Sequence, residues 1–271
     1  MASGGIEGSS SISTVLFSDI KSFTTINEQL GAQGTVSLLN DYFTVMVDDC
    51  IQREGGMLDK FIGDAIMAVF GAATPHEDDP DRAVRAAIAM MTELQKLNAR
   101  RLDEGKMAIG HRIGINTDEV VSGNIGSEKR RNYTIIGDGV NFAARLESAC
   151  KQYGAHILIS DSTFKEMRAT YRTREIDLVV VKGKTEPVGV HELLDYHTPE
   201  SFPNMVEVLG HFGDGIEKYR SGEWDAALHK FEDCLQLNPN DEGATMYIGR
   251  CEHLKANQPD EWDGVWVMTE K

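Results

Sequence analysis

The period of the hydrophobic positions changes repeatedly along this chain, and each change marks an element. Val15-Leu16-Phe17 is a short apolar run inside a predicted strand, Ser13 to Phe17, which ends in Ser18-Asp19-Ile20. From Phe23 to about Arg53, apolar residues (Leu30, Leu38, Leu39, Tyr42, Phe43, Met46, Val47, Ile51) recur at helical spacing, and Gly55-Gly56 ends that helix. Asp59 to Ile62 and Ala65 to Phe70 form the arms of a tight β-hairpin turning at Gly63-Asp64. Its second arm is almost wholly apolar, as in a buried strand.

An acidic loop from Pro75 to Pro80 precedes an amphipathic helix from Asp81 to about Glu104. Strands are predicted at Ala108 to Ile115, Glu119 to Ile125 and Tyr133 to Ile136, with a basic turn at Ser127 to Asn132. A helix follows from Val140 to about Gln152, then a strand (His156 to Ile159), a short helix (Ser160 to Met167) and two strands, Arg172 to Val181 and Val188 to Leu194. Strands alternating with helices, with some direct hairpins, predict an α+β sheet with helices on one face. A polar linker near His197 to Pro203 leads to three amphipathic helices: Phe212 to Ser221, Trp224 to Leu237 and Asp241 to about Ala256. Gly215, Gly222, Trp224, Ala227, Phe231 and Pro239 fall at the spacing of one tetratricopeptide unit. A single repeat cannot bury its own apolar face, so it must pack on a neighbour. The expected organisation is a flexible leader (1–11), a main domain (12–197) and a helical tetratricopeptide-like tail (198–271).

Composition narrows the function. The chain has 271 residues and a net charge of −16, which disfavours general binding to nucleic acid or anionic lipid. Any phosphate site must therefore be locally basic or metal-loaded. Four scattered cysteines without a CxxC pair point to reduced thiols and a cytoplasmic location. No apolar run approaches the roughly 18 residues of a membrane span, and no secretory signal is present. The first strand follows the leader at once, which leaves room for a sensor domain upstream. A GxxxxGK[ST] loop, a complete dinucleotide fingerprint, zinc-ligand spacing and a GxSxG elbow are all missing from the sequence.

The remaining chemistry lies at turns. Asp19 and Asp64 each sit at a turn beside an apolar strand, so both can converge at one end of a sheet and share a pair of divalent cations. Alternatively each merely caps its turn, which is the commoner role of such residues. Asn141 and Arg145 share one helical face, suited either to clamping phosphate or to pairing with Glu147. Arg112 lies within an apolar strand and needs an anionic partner, for which phosphate is one candidate. Lys60, Lys182 and Lys184 read by themselves as solvated turn lysines, the usual case.

Five ordered motifs closely resemble the class III nucleotidyl cyclases, above all bacterial and cyanobacterial adenylate cyclases. They are Phe17-Ser18-Asp19-Ile20, Lys60-Phe61-Ile62-Gly63-Asp64, Arg112-Ile113-Gly114-Ile115-Asn116, the run from Tyr133 through Gly137-Asp138-Gly139 to Glu147, and Val181-Lys182-Gly183-Lys184. The resemblance runs from about Thr14 to Leu194. It implies a ferredoxin-like βαβ core acting as a head-to-tail homodimer with composite sites. It also implies conversion of ATP to 3′,5′-cyclic AMP and pyrophosphate with two Mg²⁺ or Mn²⁺ ions. Carried over by position, Asp19, Asp64 and the Ile20 carbonyl would hold the metals. Lys60 and Thr134 would read the base, Arg112 and Lys182 would contact the triphosphate, and Asn141 and Arg145 would stabilise the transition state. Lys60 with Thr134 favours adenine, because a lysine donates to N1 and a threonine oxygen accepts from the 6-amino group. Relatives with threonine at that position often respond to bicarbonate. The competing readings are a guanylate cyclase and a catalytically silent, regulatory cyclase-like module. Asp118 departs from the usual glycine, which suggests an altered turn at Asn116 to Glu119.

Overall fold

The computed structural model describes residues 8–127, 129–179 and 187–266. They fall into two compact units, one within Met1–Ser148 plus Ile157–Thr170 and the other within Ala149–His156 plus Tyr171–Lys271.

The first unit is α+β. Its mixed sheet has the order β2-β3-β1-β4-β6, with β5 paired to the far end of β4. The strands are β1 (Ser9–Ile20), β2 (Met57–Ile62), β3 (Ala65–Phe70), β4 (His111–Ser127), β5 (Arg130–Ile136) and β6 (Ile157–Ser160). The helices are α1 (Phe23–Thr44), α2 (Asp79–Asp103), α3 (Asp138–Tyr153, reaching into the second unit) and α4 (Asp161–Glu166). β1 is antiparallel to both neighbours, whereas β6 runs parallel to β4. The apolar run of β3 is buried from Ile66 to Phe70, as its unbroken hydrophobicity predicts. Beyond α1 the chain continues as a π-helix (Val45–Ile51) and a short 3₁₀ turn (Gln52–Glu54), closed by Gly55 at φ 80°. The helix expected from Phe23 to Arg53 is thus broken in character, and Gly31 interrupts it at φ 66°, ψ 177°. The hairpin turn carries Gly63 at φ 65°, a conformation glycine adopts without strain.

Two expectations need correction. β1 begins at Ser9, inside the stretch read as a leader, because its hydroxyl-rich start pairs with β4 from Ser9↔Ser122 onward. The strands expected at Ala108 to Ile115 and Glu119 to Ile125 are one continuous strand. The β1 ladder runs without a break past Asn116, Thr117 and Asp118, and Thr14 and Thr117 hydroxyls meet at 2.9 Å. Asp118 therefore occupies no turn and has no left-handed φ; its side chain lies over Gly139, where a Cβ would be only 2.5 Å from that of Asp118.

The second unit pairs β7 (Thr173–Val179) antiparallel with β8 (Val188–Leu193) and packs them with α5 (Met205–Arg220), α6 (Trp224–Leu237) and α7 (Glu242–Ala256). Phe212, Phe231, Tyr219 and Tyr247 form its aromatic core. Buried charge ties strand to helix. Arg174 pairs with Glu192 at 2.7 Å and with both oxygens of Asp241 at 2.7 and 2.9 Å. Arg250 pairs with Asp177 at 2.8 Å, and Tyr153 donates to the same carboxylate at 2.8 Å. Among the described residues no helix is long and apolar enough to cross a membrane.

Two substitutions test this packing by chemical denaturation. Gly114 lies where α3 crosses β4, and a Cβ there would overlap the Ala143 carbonyl oxygen and the Glu147 amide nitrogen. With the backbone of α3 directly against it, Gly114→Ala is expected to cost about 3 kcal/mol or more, with little relief from repacking. Asp241→Ala leaves the Arg174 guanidinium buried with one fewer counter-charge, and is expected to cost about 3–5 kcal/mol.

Candidate active site

The register of β1 assembles the site. Its C-terminal end delivers Asp19 and Ile20, and the ladder sets Asp19 opposite Arg112 and Ile20 opposite His111. On the other side Ser18 pairs with Ile66, two residues from Asp64, so the hairpin turn lies beside the end of β1. Asp19 and Asp64, distant in sequence, consequently face each other.

The electrostatics follow from that proximity. Burial raises the Asp19 carboxyl from 3.8 to about 7, and a hydrogen bond to Asp64, the charge of Asp64 and that of Glu147 push it the same way. Burial likewise raises Glu147, which α3 presents to the same place, although Arg112 pulls it back. Asp64 Oδ2 is buried with no donor, and Arg112 Nε is buried with no acceptor, among the described residues. A carboxylate pair with an orphaned oxygen is a set of hard oxygen donors awaiting a cation. Among the described residues no group of three His, Cys, Asp or Glu side chains forms a complete metal cage. Asp19, Asp64 and the Ile20 carbonyl fit Mg²⁺ or Mn²⁺ only if ligand oxygens from outside the chain complete the coordination.

A second cluster lies along the hairpin. Thr134 is buried on β5, and its hydroxyl donates to Asp59 Oδ2 at 2.8 Å. The Lys60 ammonium meets the same oxygen at 3.2 Å. The two residues expected to read the base thus share one carboxylate. The sequence alone does not single out Asp59, which stands there as the first residue of a hairpin arm. A β-bulge between Leu58 and Lys60, which no local motif announces, turns it toward β5.

Asn141 and Arg145 lie one turn apart on α3, both exposed. Asn116 orients the start of that helix: its amide donates to the Gly139 carbonyl at 2.9 Å and accepts from Ser162 at 3.2 Å. Lys182, with Gly183 and Lys184, lies outside the described residues. The structure thus brings Asp19, Asp64 and Arg112 together, and separately Lys60 and Thr134. Asn141 and Arg145 face solvent.

The profile of the adenylate and guanylate cyclase catalytic domain matches residues 7–196. The chain belongs to this family. It is 39% identical to an adenylate cyclase of Anabaena cylindrica over 187 residues, which is 66% of this chain and 36% of that protein. A terminal-differentiation-specific adenylate cyclase of Dictyostelium discoideum is 34% identical over 244 residues, 88% of this chain but 11% of that protein. The chain therefore spans about a third or less of these curated relatives. The crystal structure of the adenylyl cyclase CyaB from P. aeruginosa superposes with a TM-score of 0.64 at 35% identity, covering 70% of this chain and 97% of that one. The guanylyl cyclase Cya2 gives a TM-score of 0.63 at 36% identity, covering 72% and 97%.

The carboxylate pair makes stability depend on pH in a definite direction. Without divalent cations, the folded chain holds the Asp19 proton to about pH 7, whereas an unfolded aspartate releases it near 3.8. Between those values the folded state binds more protons, so this group's contribution to stability falls as pH rises. Asp64→Asn removes the facing charge and should flatten that fall. Denaturation across about pH 4 to 8 in chelator checks it, and added Mg²⁺ or Mn²⁺ should stabilise the parent most at the upper end.

Proposed function

We propose that this chain is an adenylate cyclase that converts ATP to 3′,5′-cyclic AMP and pyrophosphate at composite sites between two head-to-tail copies. The observation that carries this reading is the Asp19–Asp64 pair, with its undonated buried oxygen, standing in the family's motif order. In the reaction the ribose 3′-oxygen bonds to the α-phosphorus, the bond from that phosphorus to the bridging oxygen breaks, and the 3′-hydroxyl proton leaves to solvent. Two divalent cations held by Asp19, Asp64 and the Ile20 carbonyl would supply activation of the 3′-hydroxyl and charge neutralisation on the phosphates.

The chain's own residues do the rest. Lys60 donates to adenine N1 and Thr134 accepts from the 6-amino group. Arg112, beside the carboxylates, and Lys182 hold the triphosphate. Arg145 offsets the charge that develops on the phosphate oxygens, and Asn141 orients the ribose for in-line attack. These basic groups give an acidic protein a local site for an anionic nucleotide.

Two features support a site shared between copies. Asn141 and Arg145 are exposed on α3. Phe61 and Ile62 at the hairpin and Val121, Ile125, Tyr133 and Ile136 on the β4–β5 arm are large exposed apolar residues, suited to burial against a second copy. The helices α5 to α7 are read as a tetratricopeptide-like unit, a reading favoured by Gly215, whose missing Cβ admits the Phe231 ring.

The test is product formation by the purified chain with ATP or GTP and Mg²⁺ or Mn²⁺. Cyclic AMP is expected, and preferential formation of cyclic GMP would favour the guanylate cyclase reading instead. Asp19→Ala and Arg145→Ala should each be at least about a hundredfold less active. Mixing them should restore part of the activity, since one composite site in each heterodimer stays whole. Proven heterodimers without recovery would sink the shared site.

A further inference from the structure

We propose that Asp59 determines base specificity by fixing the Thr134 hydroxyl as a hydrogen-bond acceptor. The inference rests on the adenylate cyclase reading above. The Asp59 side chain is 0% exposed, and its three partners are all donors: the Thr134 hydroxyl at 2.8 Å, the Ile135 amide at 3.3 Å and the Lys60 ammonium at 3.2 Å. An ionised carboxylate accepts and cannot donate. A threonine hydroxyl has one proton, and here that proton is committed to Asp59. What remains for a ligand at Thr134 is lone pairs.

The consequence is chemical selection. An exocyclic amino group at position 6 of a purine can donate to those lone pairs. A carbonyl at that position would meet them oxygen to oxygen. A free hydroxyl would not discriminate, because it can rotate to donate or accept. Threonine alone is therefore an ambiguous reader, and the carboxylate behind it removes the ambiguity. The same carboxylate holds Lys60, whose ammonium only donates, so one buried charge sets both contacts to the base.

The bulge makes this possible. Leu58 pairs with Ala68 and Lys60 with Met67, which leaves Asp59 as the extra residue of β2. An unpaired residue at a bulge can aim its side chain away from the regular alternation, here toward β5. Asp59 is thus a positioning residue, acting through Thr134 and Lys60. A purely structural role, joining β2 to β5, would affect stability and overall rate but not the choice of base.

The experiment measures kcat/KM for ATP and GTP with the full chain and its Asp59→Asn variant. The amide can donate to the Thr134 oxygen and release its proton outward. The ratio of ATP to GTP efficiency should fall about ten- to a hundredfold, and in a Thr134→Val background the same change should alter it by no more than about threefold. If the parent makes cyclic AMP and Asp59→Asn leaves the ratio within about twofold, the inference is overturned while the adenylate cyclase reading stands. If the parent makes no cyclic nucleotide, it is that reading which fails, before any variant is tested. A second arm needs no variant. N6-methyl-ATP and 6-methoxypurine riboside triphosphate have similar bulk, but the first donates at position 6 and the second only accepts. The unaltered chain should favour the first by about tenfold or more, and parity would overturn the inference.

Discussion

Two carboxylates that repel each other, Asp19 and Asp64, are the constraint around which the first unit is arranged. Burial and mutual charge raise Asp19 to about 7, so in the absence of a cation the pair destabilises the fold at neutral pH and is tolerated only because its surroundings are rigid. That rigidity comes from the sheet. β1 is clamped on both sides, by β3 from Thr14↔Phe70 to Ser18↔Ile66 and by β4 along its full length. A strand held on both edges cannot slide or rotate its last residues away from Asp64. Strain of this kind is offset elsewhere in the structure, here by the buried run of β3 from Ile66 to Phe70 and the buried Val15, Leu16, Ile113 and Ile115 of β1 and β4.

The register that fixes the acids also brings their counter-charges. Arg112 is opposite Asp19 in the β1–β4 ladder, so a slip of one residue would turn it to the opposite face. Two residues on, Gly114 lets α3 lie directly on β4 and presents Glu147, Asn141 and Arg145 from one rigid helix. Asn116, two residues further, tethers the start of that helix to the strand. Alternate residues of a single strand thus supply a charge, a packing surface and a tether for the helix.

The sequence revealed the parts of this arrangement that are local. The buried run Ala65 to Phe70, the Gly63-Asp64 turn and the helical spacing around Met90 and Leu94 announce themselves through periodicity, and each element is present. The candidate site residues stand out because they interrupt apolar strands: Asp19 after Phe17, Asp64 before Ala65, Arg112 before Ile113. Long-range pairing was not legible. Nothing local shows that Asn116 to Asp118 continue a strand, because what keeps them extended is β1, a hundred residues away in the chain, which pairs there through Val15, Thr14 and Ser13. Asp59 escaped for the same reason. Its meaning depends on a bulge and on a hydroxyl from β5, 75 residues later.

The second unit shows a different balance. β7 buries charges among apolar residues: Arg174, Ile176 and Asp177 are all buried, and the charges find partners in Glu192 of β8, in Asp241 at the cap of α7 and in Arg250 of α7. An apolar strand of the same volume would cost less desolvation, so these ion pairs contribute uniqueness more than net stability. Arg174 accepts only an arrangement in which Glu192 and Asp241 both reach its guanidinium, and Arg250 only one in which Asp177 does. Tyr247 adds a hydrogen bond at 2.7 Å to the Ile176 carbonyl, fixing α7 to the strand backbone itself. The ladder between β7 and β8 ends at Val179↔Val188, and the chain joining those two residues carries Lys182. The helices thus fix the register of β7 against β8 through the buried Arg174 and Asp177.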